Sequence, residues 1–591
     1  MDLPETIGYV DGSVESTTQR FEVVLNDDTL VQLDDLVVSR QDLPGDRGTL
    51  AHYGIVVEGT GMIEGARMAS DTKRIYATQT MPGQRINTVT VQILRTDPEL
   101  WMPPQPGAKV ELARDAHRAI ALFQDRMEGN QLRLGLDHAN EPVSIDWTFL
   151  NGEKGAHISV SGISGVATKT SYALFVLYML LETAEGRALL GRYVADTKAV
   201  VFNVKGEDLL HIDRPNSKFA DDANAAAMWQ ALGVNQPAPF QNVGIFVPPA
   251  RGGVDIVAAS VAHRRDDEYT VYGWTPLEFV KRGLLQFAFS DAREQNQISF
   301  VVDHMRSTLV RHSVPSAHTP GAVIIRTTPA HAGRDFERAA MQLSSSHPEE
   351  AAGDPEVKDF ADLVDVLIQK IETEDPLWVP RTAQGTNEAF LRRLVAMSKR
   401  LGHLVTVHAA PLTLGNNVNV VDIHALHDDA QRFVVGAVLD QIWQEKQARG
   451  RQPLRFVVLD ELNKYAPREG RSPIKEILVD IAARGRSLGV ILIGCQQNAS
   501  RVEAAIVDNA AIKVVGRLDA SHADEYKFLS PELRARATRF LPGTMVLDQP
   551  VVPAPIPIVF PFPPYATNVT EDAIGATATR DGVDPVDKVL A

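Results

Sequence analysis

The stretch His157-Ile-Ser-Val-Ser-Gly162-Ile-Ser-Gly165-Val-Ala-Thr168-Lys169-Thr170 decides how this chain is read. Residues 157–161 predict a short strand, residues 162–170 a glycine-containing turn, and the apolar residues 171–182 a helix. A second apolar strand is expected at 199–204. Strand, turn, helix and strand at this spacing form a βαβ unit, which puts the two strands parallel in one sheet. A turn that opens a helix directly after a strand is where backbone N–H groups and the helix dipole receive phosphate. Gly162, Gly165 and Thr168 are the candidate loop residues, and Lys169 supplies a point charge for the β and γ phosphates. The Thr170 hydroxyl is a candidate ligand for Mg²⁺. The spacing is a variant of the usual G-x-x-x-x-G-K-[ST] pattern. Thr168 stands where glycine usually precedes the lysine, and Gly162 lies one residue further from Lys169 than usual.

Working outward, Arg455-Phe-Val-Val-Leu-Asp460-Glu461 reads as a buried strand whose acids emerge at its C-terminal end. Open α/β sheets bind ligands along that edge. Asp460 is the candidate to hold Mg²⁺ through water, and Glu461 to orient and polarise an attacking water. Ile491-Leu-Ile-Gly-Cys495-Gln496-Gln497 is another buried strand, ending in amides. Gln496, which both donates and accepts, is the candidate reader of a γ-phosphate. Arg517 follows a strand near 512–515 and is the candidate arginine finger for a neighbouring subunit's nucleotide. Each motif taken singly reads equally well as an ordinary strand end or surface residue. Their order along one predicted sheet points to an ATP hydrolase using ATP and Mg²⁺.

Composition bounds the rest. With 591 residues, 44% hydrophobic and 23% charged, the chain is globular and long enough for several domains of about 150 residues. Its 75 acids against 59 lysines and arginines give a net charge of −16. That excludes a protein that coats nucleic acid over its whole surface; DNA binding requires a local basic lining. Arg251 and His263-Arg264-Arg265 are candidates for it. The single cysteine, Cys495, excludes a disulfide framework or a cysteine zinc site within one chain and fits a reducing, cytoplasmic location. The first residues lack the basic-then-apolar pattern of a signal peptide. The longest apolar run, 172–181, has ten residues where a bilayer needs about 20, so no membrane segment is expected.

Residues 1–112 carry short alternating runs at 6–10, 21–25, 30–38, 55–58, 88–94 and 109–112, separated by Asp/Gly/Pro turns. They predict a small N-terminal β-barrel, followed by a helix near 115–127. An α/β core is expected in two parts, 113–250 and 406–548. Between them, 251–405 reads as a mainly helical insertion with helices at 360–371 and 388–401, and within it 311–334 reads as loop around one strand at 322–326. Residues 549–591 begin with seven prolines up to Tyr565 and predict an extended tail.

With these pieces placed, the sequence resembles the HerA branch of the HerA–FtsK superfamily. The resemblance runs through His157–Gly162, Val200-Val-Phe-Asn-Val-Lys205-Gly-Glu207-Asp208 and Val420-Val-Asp422-Ile. It continues in Leu459-Asp460-Glu461, Gly494-Cys-Gln-Gln497 and Lys513-Val-Val-Gly-Arg517. It implies a RecA-like P-loop ATPase domain behind the barrel. It implies a homohexameric ring that hydrolyses ATP between subunits and drives double-stranded DNA through a central channel. The implied partners are a NurA-like nuclease, acting in DNA end resection and repair, or a defence effector subunit. By resemblance Lys169, Thr170, Asp460, Glu461, Gln496 and Arg517 take the roles given above, and the Pro-rich tail packs across a neighbouring subunit. Besides Thr168, one feature departs: Ala156 stands where a basic residue often precedes the His, and Lys154 is the nearest base. Three functions stay open. One is a repair translocase. Another is a ring scaffolding an antiphage-defence effector with slow or dispensable hydrolysis. The third is a motor on protein or single-stranded DNA.

Overall fold

Alternating burial in the first hundred residues curls six antiparallel strands into a closed barrel. They are β1 (Thr6–Val10), β2 (Arg20–Leu25), β3 (Leu36–Asp42), β4 (Thr49–Glu64), β5 (Gln84–Asp97) and β6 (Lys109–Leu112), in the order β1-β2-β5-β4-β3-β6. Val23, Val37, Val91 and Val110 fill its interior. β1 and β6 have the expected bounds, but β4 and β5 run well past theirs. Their excess length pairs Glu58 through Glu64 with Thr90 through Gln84, as a largely exposed ribbon beyond the barrel. The computed structural model describes residues 6–45, 47–127, 129–163, 168–250, 261–290, 295–326, 341, 354–380 and 384–574.

The rest of the chain is built on one large mixed sheet, of the α/β class the sequence predicts. Its parallel part comprises β9 (Ile158–Ser161), β10 (Lys198–Asn203), β11 (Val243–Val247), β12 (Thr270–Gly273), β16 (Ala410–Pro411), β17 (Val418–Asp422), β18 (Arg455–Leu459), β19 (Val490–Gln496) and β20 (Ile512–Val515). The order is β16-β12-β11-β17-β10-β18-β19-β9-β20. An antiparallel flank follows: β21 (Thr544–Asp548), β22 (Ile556–Val559), β7 (Gln131–Leu136) and β8 (Pro142–Asp146). The helix Thr168–Leu181 lies against β9 and β19 and is apolar on every side. Tyr172 through Leu181 are all buried, so the longest apolar run is a core helix. No helix among the described residues is long and apolar enough to cross a membrane.

Two expectations need correction. The segment 251–405 has helices at Pro276–Lys281, Gln295–His312, Phe360–Glu372 and Gln384–Leu401, but more than one strand. β12 extends the main sheet, and β13 (Ser313–Pro315), β14 (Val323–Ile325) and β15 (Glu356–Val357) form a separate small sheet. Strands of two to four residues are too short to show a period. The hairpin β7–β8 and strand β11 also lacked a readable signal. Finally, residues 549–574 fold onto their own chain rather than extending away. Ile556–Val559 becomes β22, the Trp229 indole N–H donates to Phe562 O (2.9 Å), and Tyr565 is buried beside Tyr178 and Phe240. Six of the seven prolines lie outside β22, and only Pro557 falls within it, opposite Val546. Residues 575–591 lie outside the described residues.

Candidate active site

Register brings the predicted chemistry to one edge. Leu459 lies opposite Gly494, Gly494 opposite Ser159, and Val458 opposite Val201. The strand ends are therefore level. Asp460 and Glu461, the turn after β9, and Lys205 beyond β10 emerge together. A cleft of about 280 Å³ opens there, lined by Lys169, Thr170, Leu174, Phe202, Lys205 and Asp460, among others.

Lys169 is buried, and its Nζ donates to Gly162 O at 2.9 Å. Burial lowers its pKa, and the charge of Asp460 opposes that fall. The Thr170 hydroxyl donates to Asp460 Oδ2 at 3.0 Å. Lys205 reaches the same Oδ2 at 3.4 Å and Glu461 Oε1 at 3.6 Å. Burial pulls Lys205 down, but the two carboxylates outweigh it and its pKa rises. Glu461 sits in the left-handed region (φ 54°), and its N–H donates to Asp460 Oδ1 at 2.7 Å. A non-glycine residue held there stores about 1 kcal/mol of strain. The turn ends the strand, and both carboxylates still reach the Lys205 ammonium.

Gly162 and Arg517 meet through the backbone. Ile163 N–H donates to Arg517 O at 2.8 Å, and a Cβ on Gly162 would lie 3.3 Å from that oxygen. The Arg517 side chain is exposed, its Nε donating to Thr538 O at 3.2 Å, and it does not enter its own cleft. Gly165 lies outside the described residues, as does the side chain of Thr168.

Gln496 does not join the cleft. It is fully buried, and its amide donates to Ser159 Oγ (2.7 Å) and Ser161 Oγ (3.0 Å). Cys495, whose Sγ approaches Lys169 O at 3.8 Å, holds the side of the sheet facing the Thr168–Leu181 helix. Strand alternation then turns Gln496 to the other side. Its observed contacts lock β19 to β9 instead of reaching a phosphate position.

Two groups escaped the sequence reading. Lys205 was quoted only as part of a pattern, and its position one strand from the acids was the missed signal. Thr567 and Asn568 line the cleft from the C-terminal segment. Glu571 holds that segment by accepting from the Thr567 N–H (3.1 Å) and from Asn216 Nδ2 (3.2 Å). Nothing local in the sequence marks so distant a return.

No family model and no curated protein matches the sequence. Among solved structures it is similar to VirB4 of Thermoanaerobacter pseudethanolicus, with TM-score 0.43 and 15% identity over 74% of this chain and 98% of that one. It is similar to the bacterial conjugative coupling protein TrwBΔN70 (TM-score 0.41, 11% identity, 74% and 90% covered). A third similar structure is the plasmid coupling protein TrwB with the ATP analogue ADPNP (TM-score 0.39, 11% identity, 75% and 94% covered).

Proposed function

We propose that the chain is an ATP hydrolase of the HerA–FtsK superfamily, of HerA type, that drives duplex DNA through a homohexameric ring. The observation that carries this is the meeting of Lys169, Thr170, Asp460, Glu461 and Lys205 at one parallel-sheet edge, beside a strand–turn–helix. Lys169 holds the β and γ phosphates, its ammonium already desolvated and so strongly felt. Glu461 orients water and accepts its proton. Arg517, exposed at the end of β20, serves the neighbouring subunit's cleft. The Thr170 hydroxyl and Asp460 carboxylate, 3.0 Å apart, are the hard oxygen donors that suit Mg²⁺. Bound there, Mg²⁺ would neutralise developing phosphate charge. The partner is a NurA-like nuclease in end resection and repair, and the location is cytoplasmic.

The test is steady-state ATP hydrolysis with and without linear duplex DNA, for wild type and Lys169→Ala. DNA should raise the rate and the substitution abolish it. A rate indifferent to Lys169 overturns the motor. A second reading, a ring scaffolding a defence effector with slow hydrolysis, draws support from Thr168 in place of the loop glycine. Hydrolysis that appears only with an added effector would favour it.

A further inference from the structure

The arginines that the sequence singles out do not share one setting. Arg264 is buried against Asp213 and Leu210 O, and Arg265 pairs with Asp267 and Glu268. Arg251 lies outside the described residues. Arg517 is exposed, and its contacts tie it to the N-terminal barrel.

Two successive residues after β20 bond to two successive carbonyls. Arg517 Nε donates to Thr538 O at 3.2 Å, and the Leu518 N–H donates to Ala537 O at 3.1 Å. Both carbonyls lie at the end of the helix Pro531–Ala537. The joint is packed, with Leu518, Leu529, Ala537 and Phe540 buried in one cluster with Val515 of β20. A shift of this helix therefore carries the Arg517 side chain with it. The Arg517 backbone is fixed separately, because its O accepts from Ile163 N–H in the chain's own phosphate loop at 2.8 Å.

The helix is in turn held from the barrel. It has seven residues, too few to stand alone. Ser530 caps its start, Oγ accepting from the Leu533 N–H at 3.1 Å. Near its other end the Arg536 guanidinium forks onto Asp34, Nη1 to Oδ1 at 2.8 Å and Nη2 to Oδ2 at 2.6 Å. Two parallel charge-assisted bonds fix direction as well as distance. Asp34 itself lies in the left-handed region (φ 73°), with its N–H bonded to Val56 O of β4 at 2.9 Å. Such strain persists where the surroundings impose it. A cavity of about 650 Å³ lies between Leu33, Ile55 and Val57 of the barrel and Leu533 of the helix. The space leaves the helix room to move, so the fork sets its place more than close packing does. Side-chain exposures of 11% at Asp34 and 37% at Arg536 mean that the pair adds little to stability.

We propose that Asp34 and Arg536 are positioning residues, whose ion pair sets the helix Pro531–Ala537 and so aims Arg517 at the neighbouring subunit's nucleotide. The barrel thereby controls hydrolysis in the next cleft. The proposal rests on the ring ATPase reading, in which Arg517 serves that cleft.

The test uses the full chain with linear duplex DNA. Single-turnover hydrolysis reads the rate, slow variants included, and titration with a fluorescent nucleotide reads affinity. Asp34→Asn keeps the side-chain shape and tolerates a left-handed backbone, and Arg536→Gln keeps most of the stem. Each should slow hydrolysis by about 10- to 100-fold, as misplacing a reacting group does, with affinity within about twofold. In an Arg517→Ala background neither should cost more than about twofold, because residues that act through one group are not additive. Arg534→Ala, which removes a pair with Asp524 on the same helix, should leave the rate within about twofold. Melting curves check that each variant is folded. If hydrolysis needs Lys169 and Arg517 but both variants keep the wild-type rate, the proposal is overturned and the ATPase stands. If the variants slow hydrolysis equally without Arg517, they act elsewhere, and the proposal is overturned. Hydrolysis that needs Lys169 but not Arg517 overturns it too, since nothing is left to aim. Hydrolysis indifferent to Lys169 overturns the reading beneath it.

Discussion

Strand β9 has a buried base beyond each end, and only one of the two has a carboxylate beside it. Just before it, His157 is 2% exposed and accepts the Leu492 N–H at Nδ1 (3.0 Å). Burial pushes its pKa down to about 4, and no ion pair reaches it among the described residues. After the turn that leaves the other end, Lys169 is 5% exposed, but Asp460 opposes the effect of burial. Burial alone silences a base. Burial beside a carboxylate lowers the pKa too, but the carboxylate opposes the fall. The C-terminal edge of the sheet therefore collects chemistry while the N-terminal edge collects structure.

Lys169→Ala should separate the two ends most strongly. Hydrolysis should fall by about 1,000-fold, because a preorganised charge is lost from a desolvated site. His157→Ala should leave turnover per folded molecule within about twofold. It should instead cost about 1–3 kcal/mol of stability, because the buried Leu492 N–H loses its acceptor. Paired rate and denaturation measurements decide. A His157 variant that is stable but inactive would break the contrast.

Glu461→Gln should lower hydrolysis by about 100-fold while nucleotide binding persists, since the amide keeps the shape of the side chain but cannot take a proton. Single-turnover kinetics with a fluorescent nucleotide would show both. Equal loss of binding and rate would place Glu461 with the phosphate-holding groups.

The same contrast explains what the sequence made legible. Apolar runs ending in Asp460-Glu461 or opening into Lys169-Thr170 name their own edge, because polar residues at the end of a buried strand have few other places to go. Gln496 obeyed that rule in sequence and broke it in space. Alternation, not proximity, decides which side of the sheet a strand-end side chain takes, and the helix side went to Cys495. Lys205 was hidden for the opposite reason. It contacts Asp460 across 255 residues of chain, a pairing that only the strand order β10-β18 creates. The barrel was legible because short alternating strands with polar turns leave few other folds. The return of Thr567 and Asn568 to the cleft has no local period to reveal it.

Acid should expose the structural end next. The His157 pKa is about 4 in the folded chain against 6.5 in a free side chain. Between those values the unfolded chain takes up a proton that the folded chain refuses. Stability from this site is complete above pH 6.5 and falls as pH drops toward 4, by on the order of 3 kcal/mol. His157→Gln, which keeps an acceptor for Leu492 but does not titrate, should flatten that part of the stability profile. Denaturant unfolding at neutral and acid pH, compared between the two proteins, measures the difference. An unchanged slope would mean that His157 is protonated in the fold, so that burial there does not silence it.

Lys205 carries the smallest effect and the sharpest sign. It is about half exposed and lies 3.4 Å from Asp460 Oδ2, the oxygen that also accepts from Thr170. Its ammonium therefore lies beside the space that a cation held by Asp460 and Thr170 would take. A pair this exposed is worth about 1 kcal/mol or less. Lys205→Met should thus remove a competitor and tighten Mg²⁺ by about threefold to fivefold, read as the Mg²⁺ midpoint of a fluorescent-nucleotide titration. Lys169→Ala should not tighten it, because the Lys169 ammonium is bonded to Gly162 O and not to the acids. A Lys205 variant that weakens Mg²⁺ instead would make Lys205 a second phosphate lysine. The carboxylates at this edge would then be serving two working cations rather than one.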